Sequence, residues 1–79
     1  MERNTIKEQI YTIVSKYLPD MEIADNSPLT LAPFNIDSRG LAVIFIDIER
    51  VFKVSLDRVF EQALDYSIDS ISKAVWRSR

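Results

Sequence analysis

The sequence contains no cysteine and no histidine among its 79 residues. Without cysteine it has no disulfide framework and no thiolate metal site. Without histidine it has neither imidazole-ligated zinc nor the Ser–His and Cys–His pairs of nucleophilic enzymes. Because a small domain without cysteine has no need of an oxidising compartment, we expect the protein to be cytoplasmic.

Long apolar runs and an excess of basic residues are also lacking. The longest uninterrupted apolar stretch is Leu41–Ile46, which is far too short to cross a bilayer, and no signal-peptide pattern opens the chain. Ten basic residues against twelve acidic ones give a net charge of −2. We therefore expect neither a membrane partner nor a nucleic-acid partner, since nucleic-acid binding favours a basic excess.

The residues that are present indicate one small domain spanning residues 1–79. The hydrophobic fraction of 47% and the charged fraction of 28% are ordinary for a globular domain. A single glycine and three prolines exclude collagen-like or linker character. A chain of this length is expected to have a net stability of roughly 4–12 kcal/mol, at about 0.05–0.15 kcal/mol per residue.

A first helix is predicted over residues 5–18. Its apolar residues recur at three- and four-residue spacing, Thr5 and Glu8 suit a capping box at its start, and Pro19 ends it. The predicted inward stripe consists of Ile6, Ile10, Ile13, Val14 and Tyr17.

A long loop is predicted over residues 19–36, which carry all three prolines and several turn-forming residues. We expect this loop to be ordered, because apolar side chains spaced through its second half can hold it against the core. They are Leu29, Leu31, Phe34 and Ile36.

The second predicted helix covers residues 38–52, with Asp37 as its N-cap. Its central run is β-branched enough to suggest a strand, but the helical pattern persists to Phe52 and its length favours a helix. The predicted inward residues are Leu41, Ile44, Phe45, Ile48 and Phe52, and the opposite side carries Arg39, Val43, Ile46 and Arg50. The outward Val43 and Ile46 fit a helix that is apolar all round, a dimer contact or a surface for a partner protein.

Two further helices complete the pattern. A short third helix is predicted after a cap at Ser55 or Asp57, and a last helix after Ser67. The third would use Leu56, Val59, Phe60, Ala63 and Leu64, and the last would turn Ile68, Ile71 and Val75 inward. The predicted fold class is therefore all-α: a small bundle of three main helices and one short helix, with a long loop between the first two.

Ser38 is the candidate site for chemistry. It follows the loop, stands beside a capping aspartate and lies in the first turn of the second helix, where unpaired backbone N–H groups and the helix dipole favour negative charge. A phosphate on its hydroxyl would be tolerated there, and the adjacent Arg39 would add a charge-assisted contact. The simpler interpretation is that Asp37 or Ser38 is only an N-cap.

The wider context of this pair carries a resemblance to a family. In segment 34–56, the Asp37–Ser38 pair is followed by an aliphatic-rich helix that ends in Glu49 and Phe52, and then by a short stretch leading into a brief helix. This segment resembles the acyl carrier protein family, which has an Asp–Ser pair at the start of its second helix. Chain length and helix order extend the resemblance over nearly the whole chain.

The resemblance implies that Ser38 carries a 4′-phosphopantetheine arm, installed from coenzyme A by a phosphopantetheinyl transferase. The thiol of the arm would hold an acyl or aminoacyl group as a thioester. A ligase would load that group, and a downstream synthase or transferase of a specialised biosynthetic pathway would receive it. The protein would perform no reaction of its own, Asp37 would cap the helix and assist the transferase, and we expect a monomer.

Partner enzymes would dock on the second helix, and the implied docking residues are Arg39, Val43, Ile46, Asp47 and Arg50. This face is less acidic and more apolar than is usual in the family. Asn35 stands where many members have glycine, and asparagine tolerates the left-handed backbone that a turn there needs. Gly40 lowers helix propensity by about 1 kcal/mol relative to alanine, so we expect a frayed first turn.

Two other classes of function remain as alternatives. One is an interaction module with the same fold and no prosthetic group, in which Ser38 is only a cap and Val43 and Ile46 form a constitutive interface. The other is an enzyme that uses carboxylates for acid–base chemistry. The candidates for that chemistry form no evident pair and are better explained as solvated charges: Asp20, Glu22, Asp65 and Asp69.

Overall fold

A computed structural model describes residues 2–62 and 65–78, and within these ranges the chain is all-helical. Four helices follow one another: α1 (Arg3–Tyr17), α2 (Ser38–Phe52), α3 (Leu56–Gln62) and α4 (Ile68–Ser78). The predicted small helical bundle is confirmed, and α2 has the predicted bounds. Ala63 and Leu64, predicted for the third helix, lie outside the described residues, and so does the side chain of Leu56.

The core is formed where α1 and α3 pack on α4 and α2 closes the bundle against α1 and α3. Helices α1 and α4 run antiparallel, since Lys7 lies beside Asp69 at the start of α4 and Arg3 lies over the ring of Trp76 near its end. The buried apolar residues of the core are Ile6, Ile10, Ile13, Val14, Ile23, Leu29, Leu41, Ile44, Phe45, Ile48, Val54, Val59, Ile68, Ile71, Ala74 and Val75.

The start of α1 corrects the sequence-based prediction. The helix begins at Arg3, Glu2 occupies the N-cap without a side-chain hydrogen bond, and the Ile6 N–H donates to the Glu2 carbonyl at 3.1 Å. The capping box predicted from Thr5 and Glu8 is therefore wrong, because both residues lie inside the helix. Burial of Ile6 in the core favours this longer helix.

The loop between α1 and α2 is held down mainly by Leu29. Its side chain is fully buried, its N–H donates to the Tyr66 carbonyl at 3.0 Å, and its carbonyl accepts from the Ile36 N–H at 2.9 Å. Phe34 and Ile36 pack partly buried against the core, as predicted. Leu31 does not, since its side chain is 59% exposed while its carbonyl closes a turn with the next residues.

The caps of α3 and α4 lie at the serines. The Ser55 carbonyl accepts from the Val59 N–H at 3.1 Å, so α3 starts directly after Ser55. The Ser67 hydroxyl accepts from the Ser70 N–H at 3.1 Å, which confirms Ser67 as the N-cap of α4. The predicted inward residues of α4, Ile68, Ile71 and Val75, are fully buried.

Candidate functional site

The N-terminal turn of α2 presents the hydroxyl of Ser38 to solvent. Asp37 is the N-cap, with extended backbone, and its Oδ1 accepts a hydrogen bond from the Gly40 N–H at 2.9 Å. The capping function is thus carried by Asp37. Ser38 is exposed, and within the described part of the chain its hydroxyl has no hydrogen-bond partner.

Backbone hydrogen bonds within the loop fix the direction in which the chain enters α2. Asn35 adopts a left-handed backbone with φ of 50°, which confirms the expected turn at that position. The Phe34 and Asn35 N–H groups both donate to the Leu31 carbonyl at 3.0 Å, so the chain folds back just before it enters α2. Leu29, bonded to Ile36, fixes the same stretch from the core side.

Gly40 corrects the expectation that the first turn frays. The helix is regular from Ser38, and a Cβ built on Gly40 would lie 2.8 Å from Cγ2 of Ile36. The residue preceding the cap therefore packs directly on the first turn of α2. Glycine at position 40 is what permits this close approach, so it contributes to the order of the turn instead of loosening it.

The first turn of α2 has groups that can interact with an anion at the Ser38 oxygen, and the Asp37 carboxylate offsets them in part. The backbone N–H groups of the first turn lack helical acceptors, and the helix dipole places a partial positive charge there. Asp37 takes up one N–H, that of Gly40. The guanidinium of Arg39 is exposed next to Ser38 and is available to a phosphate group.

The outward side of α2 has the predicted composition. Val43 is 42% and Ile46 47% exposed, and both arginines on that side, Arg39 and Arg50, are exposed as well. Apolar side chains of this size at neighbouring exposed positions form a patch suited to contact with another molecule.

Asp47, predicted for the same face, faces mostly towards α1. Its side chain is only 23% exposed, and its Oδ2 accepts a hydrogen bond of 2.6 Å from the Tyr17 hydroxyl. This bond raises the pKa of Tyr17 above its usual value. The prediction that Tyr17 faces inward is wrong, because its side chain is 38% exposed. Its hydrogen bond with Asp47 links the end of α1 to the middle of α2. Asp47 also lies 3.9 Å from Arg50.

A cluster of charges ties the loop to α4, away from Ser38. The Lys7 ammonium lies 2.8 Å from Asp25 in the loop and 3.5 Å from Asp69 in α4, and Lys73 lies 3.3 Å from Asp69. The Asp25 carboxylate raises the pKa of Lys7, and Lys73 lowers the pKa of Asp69. The Asp69 N–H also donates to the Asp25 carbonyl at 2.8 Å.

Two carboxylates that the sequence suggested were merely solvated thus have structural partners. Besides Asp69, the Asp65 carboxylate accepts a hydrogen bond from the Ser67 N–H at 3.0 Å. Hydrogen bonds from Ser67 hold the pKa of Asp65 below its usual value. The sequence signal for the contacts of Lys7 was slight, since Asp25 lies 18 residues and Asp69 lies 62 residues further along the chain.

Open grooves flank α1 in the described part of the chain, and two of them do not include Ser38 among their lining residues. A polar groove of about 620 Å³ includes Lys7 and Asp25 among its lining residues. A second groove of about 530 Å³ lies between α1 and the loop, where Tyr11, Ile23 and Phe34 line it. Residues that line these grooves also hold the loop in place, since Lys7 and Asp25 form an ion pair and Phe34 packs against the core.

Within residues 2–62 and 65–78, acidic side chains form no group of three or more placed to hold a metal ion. None of the helices in these ranges has both the length and the apolar character that crossing a bilayer requires.

Comparison of the chain with protein-family models, with curated proteins and with solved structures gives no match.

Proposed function

We propose that this chain is a carrier protein of a specialised biosynthetic pathway in the cytoplasm. In this proposal Ser38 bears a 4′-phosphopantetheine arm, and the thiol of the arm holds an acyl or aminoacyl group as a thioester. The protein supplies the attachment point and a docking surface, while the reactive thiol belongs to the cofactor.

One observation supports the proposal above all: the Ser38 side chain is exposed on the first turn of α2 although it stands beside the N-cap. Asp37 satisfies the Gly40 N–H, so the serine hydroxyl is not engaged in capping. A transferase can therefore reach the oxygen without opening the bundle. The positive end of the helix dipole and Arg39 would then stabilise the phosphodiester.

Coenzyme A is the only co-substrate that the attachment of the arm requires. The Ser38 oxygen attacks the phosphorus next to the pantetheine, a new ester bond forms, and the phosphoanhydride bond to the adenosine half breaks. Adenosine 3′,5′-bisphosphate leaves, and the hydroxyl proton passes to a base of the transferase. No oxidant or reductant is needed.

The partners in this proposal are the phosphopantetheinyl transferase, a ligase that loads the cargo and a synthase or transferase that accepts it. They would meet the outward side of α2, where Arg39, Val43, Ile46 and Arg50 are exposed. Asp47 would contribute at the margin of that side, since it is bonded to Tyr17.

The test is the intact mass of the protein after incubation with coenzyme A and a broad-specificity phosphopantetheinyl transferase. We expect a gain of one phosphopantetheinyl group in the wild type and none in Ser38→Ala. Ser55→Ala is the matched control, because Ser55 is exposed and also stands immediately before a helix, and it should gain the same mass as the wild type.

Both variants must stay folded for the comparison to count, and circular dichroism verifies this. Since Asp37 carries the cap, Ser38→Ala should unfold at nearly the wild-type denaturant concentration. An unchanged wild-type mass with several transferases would contradict the proposal and favour an unmodified interaction module. Mass gain in Ser38→Ala would contradict the assignment of the site.

A further inference from the structure

The exposed side of α2 carries two cations separated by apolar residues along one straight line. At about 100° and about 1.5 Å per residue, the four residues fall within a sector of about 60°, and the two arginines lie about 16 Å apart. We call this set the basic–apolar stripe, and it consists of Arg39, Val43, Ile46 and Arg50.

The carboxylates of α2 lie to the sides of the stripe. Asp47 is turned towards α1 by its 2.6 Å hydrogen bond with Tyr17, and Glu49 is rotated by about 80° from Arg39. Arg39 has no ion pair among the described residues, and Arg50 has only the 3.9 Å contact with Asp47. The stripe is therefore positively charged although the whole chain has a net charge of −2.

We propose that the stripe docks an acidic protein surface, in which an apolar centre is flanked by two carboxylates spaced to meet Arg39 and Arg50. Charge complementarity selects this occupant, because opposite charges at the rim of an interface speed encounter and set its register. Val43 and Ile46 supply the apolar centre that becomes dry on contact.

Other occupants match the stripe less well. A second copy packed symmetrically through α2 would bring arginine against arginine, since a two-fold contact repeats the same surface on both sides. Double-stranded DNA carries one negative charge per about 1.7 Å of its axis. Such a partner is suited to a dense row of cations, whereas the stripe has two cations on a protein of negative net charge.

The inference rests on the proposed function for what the partners do: they would be the enzymes that act on the arm at Ser38. Because Ser38 directly precedes Arg39, one carboxylate of such an enzyme would lie beside the entrance for the arm. The acidity of the docking surface itself follows from the stripe and can be tested without any modification of Ser38.

The probes are two synthetic amphipathic helical peptides with the same apolar face. One carries glutamate and the other lysine at two positions spaced to meet Arg39 and Arg50. Binding to the full chain is followed by amide chemical shifts. We expect the glutamate peptide to perturb the stripe and to bind about tenfold more tightly than the lysine peptide at low salt. The preference should fade in about 1 M salt, where the Debye length is about 3 Å.

Charge reversal supplies the matched comparison. Arg39→Glu with Arg50→Glu should reverse the peptide preference. Arg58→Glu with Arg77→Glu makes the same change of net charge at exposed arginines of α3 and α4 and should leave the preference unchanged. Circular dichroism confirms that both double variants are folded.

Equal affinity for the two peptides, tighter binding of the lysine peptide or shifts away from the stripe would overturn the inference. Concentration-dependent dimerisation that shifts Val43 and Ile46 would assign the stripe to a second copy, and binding to vesicles of anionic phospholipid through the stripe would assign it to a lipid surface. Either result would also overturn the inference. None of these outcomes bears on the mass gain at Ser38, so the two proposals fail separately.

Discussion

At position 40 the lack of a side chain brings the loop into contact with α2. Ile36 occupies the space where a Cβ would lie, with its Cγ2 at 2.8 Å, and the Gly40 N–H is held by Asp37. Since Ile36 is β-branched and packs against the core, it has little freedom to move aside. The position of the exposed Ser38 hydroxyl thus depends on the contact between Ile36, two residues before it, and Gly40, two residues after it.

We predict that Gly40→Ala destabilises the protein by about 1 kcal/mol. Alanine gains at most about 1 kcal/mol of helix propensity, whereas overpacking of this kind typically costs about 1–3 kcal/mol. Urea denaturation measures the difference in the free energy of unfolding.

A double-mutant cycle identifies the cause of that loss. In an Ile36→Ala background the clash is absent, so Gly40→Ala should then become neutral or stabilising. If Gly40→Ala stabilises the wild-type background, the close approach to Ile36 does not control the conformation of this turn.

At the scale of elements, backbone hydrogen bonds and ion pairs order the loop between α1 and α2. They connect the loop to α1, to the start of α4 and to Tyr66 just before α4. Leu29 pairs with the Tyr66 carbonyl, and the Asp25 carbonyl pairs with the first turn of α4. Lys7 of α1 lies between Asp25 and Asp69 and so joins three elements at one point. The loop that leads to Ser38 is in this way fixed to α1, to the start of α4 and to the residue Tyr66 before it.

This cluster predicts a pH dependence on the acid side. Lys73 and Lys7 hold the folded-state pKa of Asp69 below its ordinary value of 3.8. The stabilisation is therefore complete above that value and is lost as the pH falls through the lower folded-state pKa. We expect Asp69→Asn to lower the free energy of unfolding by about 0.5–1 kcal/mol at neutral pH, as for exposed ion pairs.

The difference between Asp69→Asn and wild type should shrink as the pH falls from about 4 through the lower folded-state pKa of Asp69, because below that pKa Asp69 is protonated in both the folded and the unfolded wild type. Urea denaturation across the acid range measures this convergence. Glu22→Gln is the control, since it removes one exposed carboxylate of the loop and should follow the wild type at every pH. A constant difference down to the lowest pH would show that the ion pairs with Asp69 do not act as described.

The whole molecule depends on a small core in which aromatic rings join α2, α3 and the segment before α4. Phe45 is fully buried, and its ring stacks on that of Phe60 at a centroid distance of 4.3 Å. Tyr66 meets both rings edge-on, at 6.1 and 6.3 Å. Of the three rings, Phe45 is the one that is fully buried in the core.

We predict that Phe45→Ala costs about 3–5 kcal/mol, the usual range for truncating a buried phenylalanine. With a total stability of roughly 4–12 kcal/mol, this change should leave the protein marginally folded or unfolded at room temperature. Phe60→Ala is the matched control, because Phe60 is 39% exposed and should cost clearly less. Equal losses for the two variants in urea denaturation would contradict the assignment of Phe45 to the centre of the core.

The sequence by itself determined the helices, their order and the exposed side of α2. Apolar spacing and capping residues are local signals, so they predicted α2 from Ser38 to Phe52, the caps at Asp37 and Ser67 and the exposure of Val43 and Ile46. The same signals misplaced the start of α1, where burial of apolar residues outweighed a capping pattern.

Only the tertiary structure decided which residues of the loop reach the core and which charges meet. Leu29 and Ile23 are buried whereas Leu31 is exposed, and no periodicity distinguishes them because the loop has none. Contacts such as Lys7 with Asp69, Tyr17 with Asp47 and Gly40 with Ile36 depend on how separate segments pack, which is a property of the assembled bundle and not of spacing along the chain.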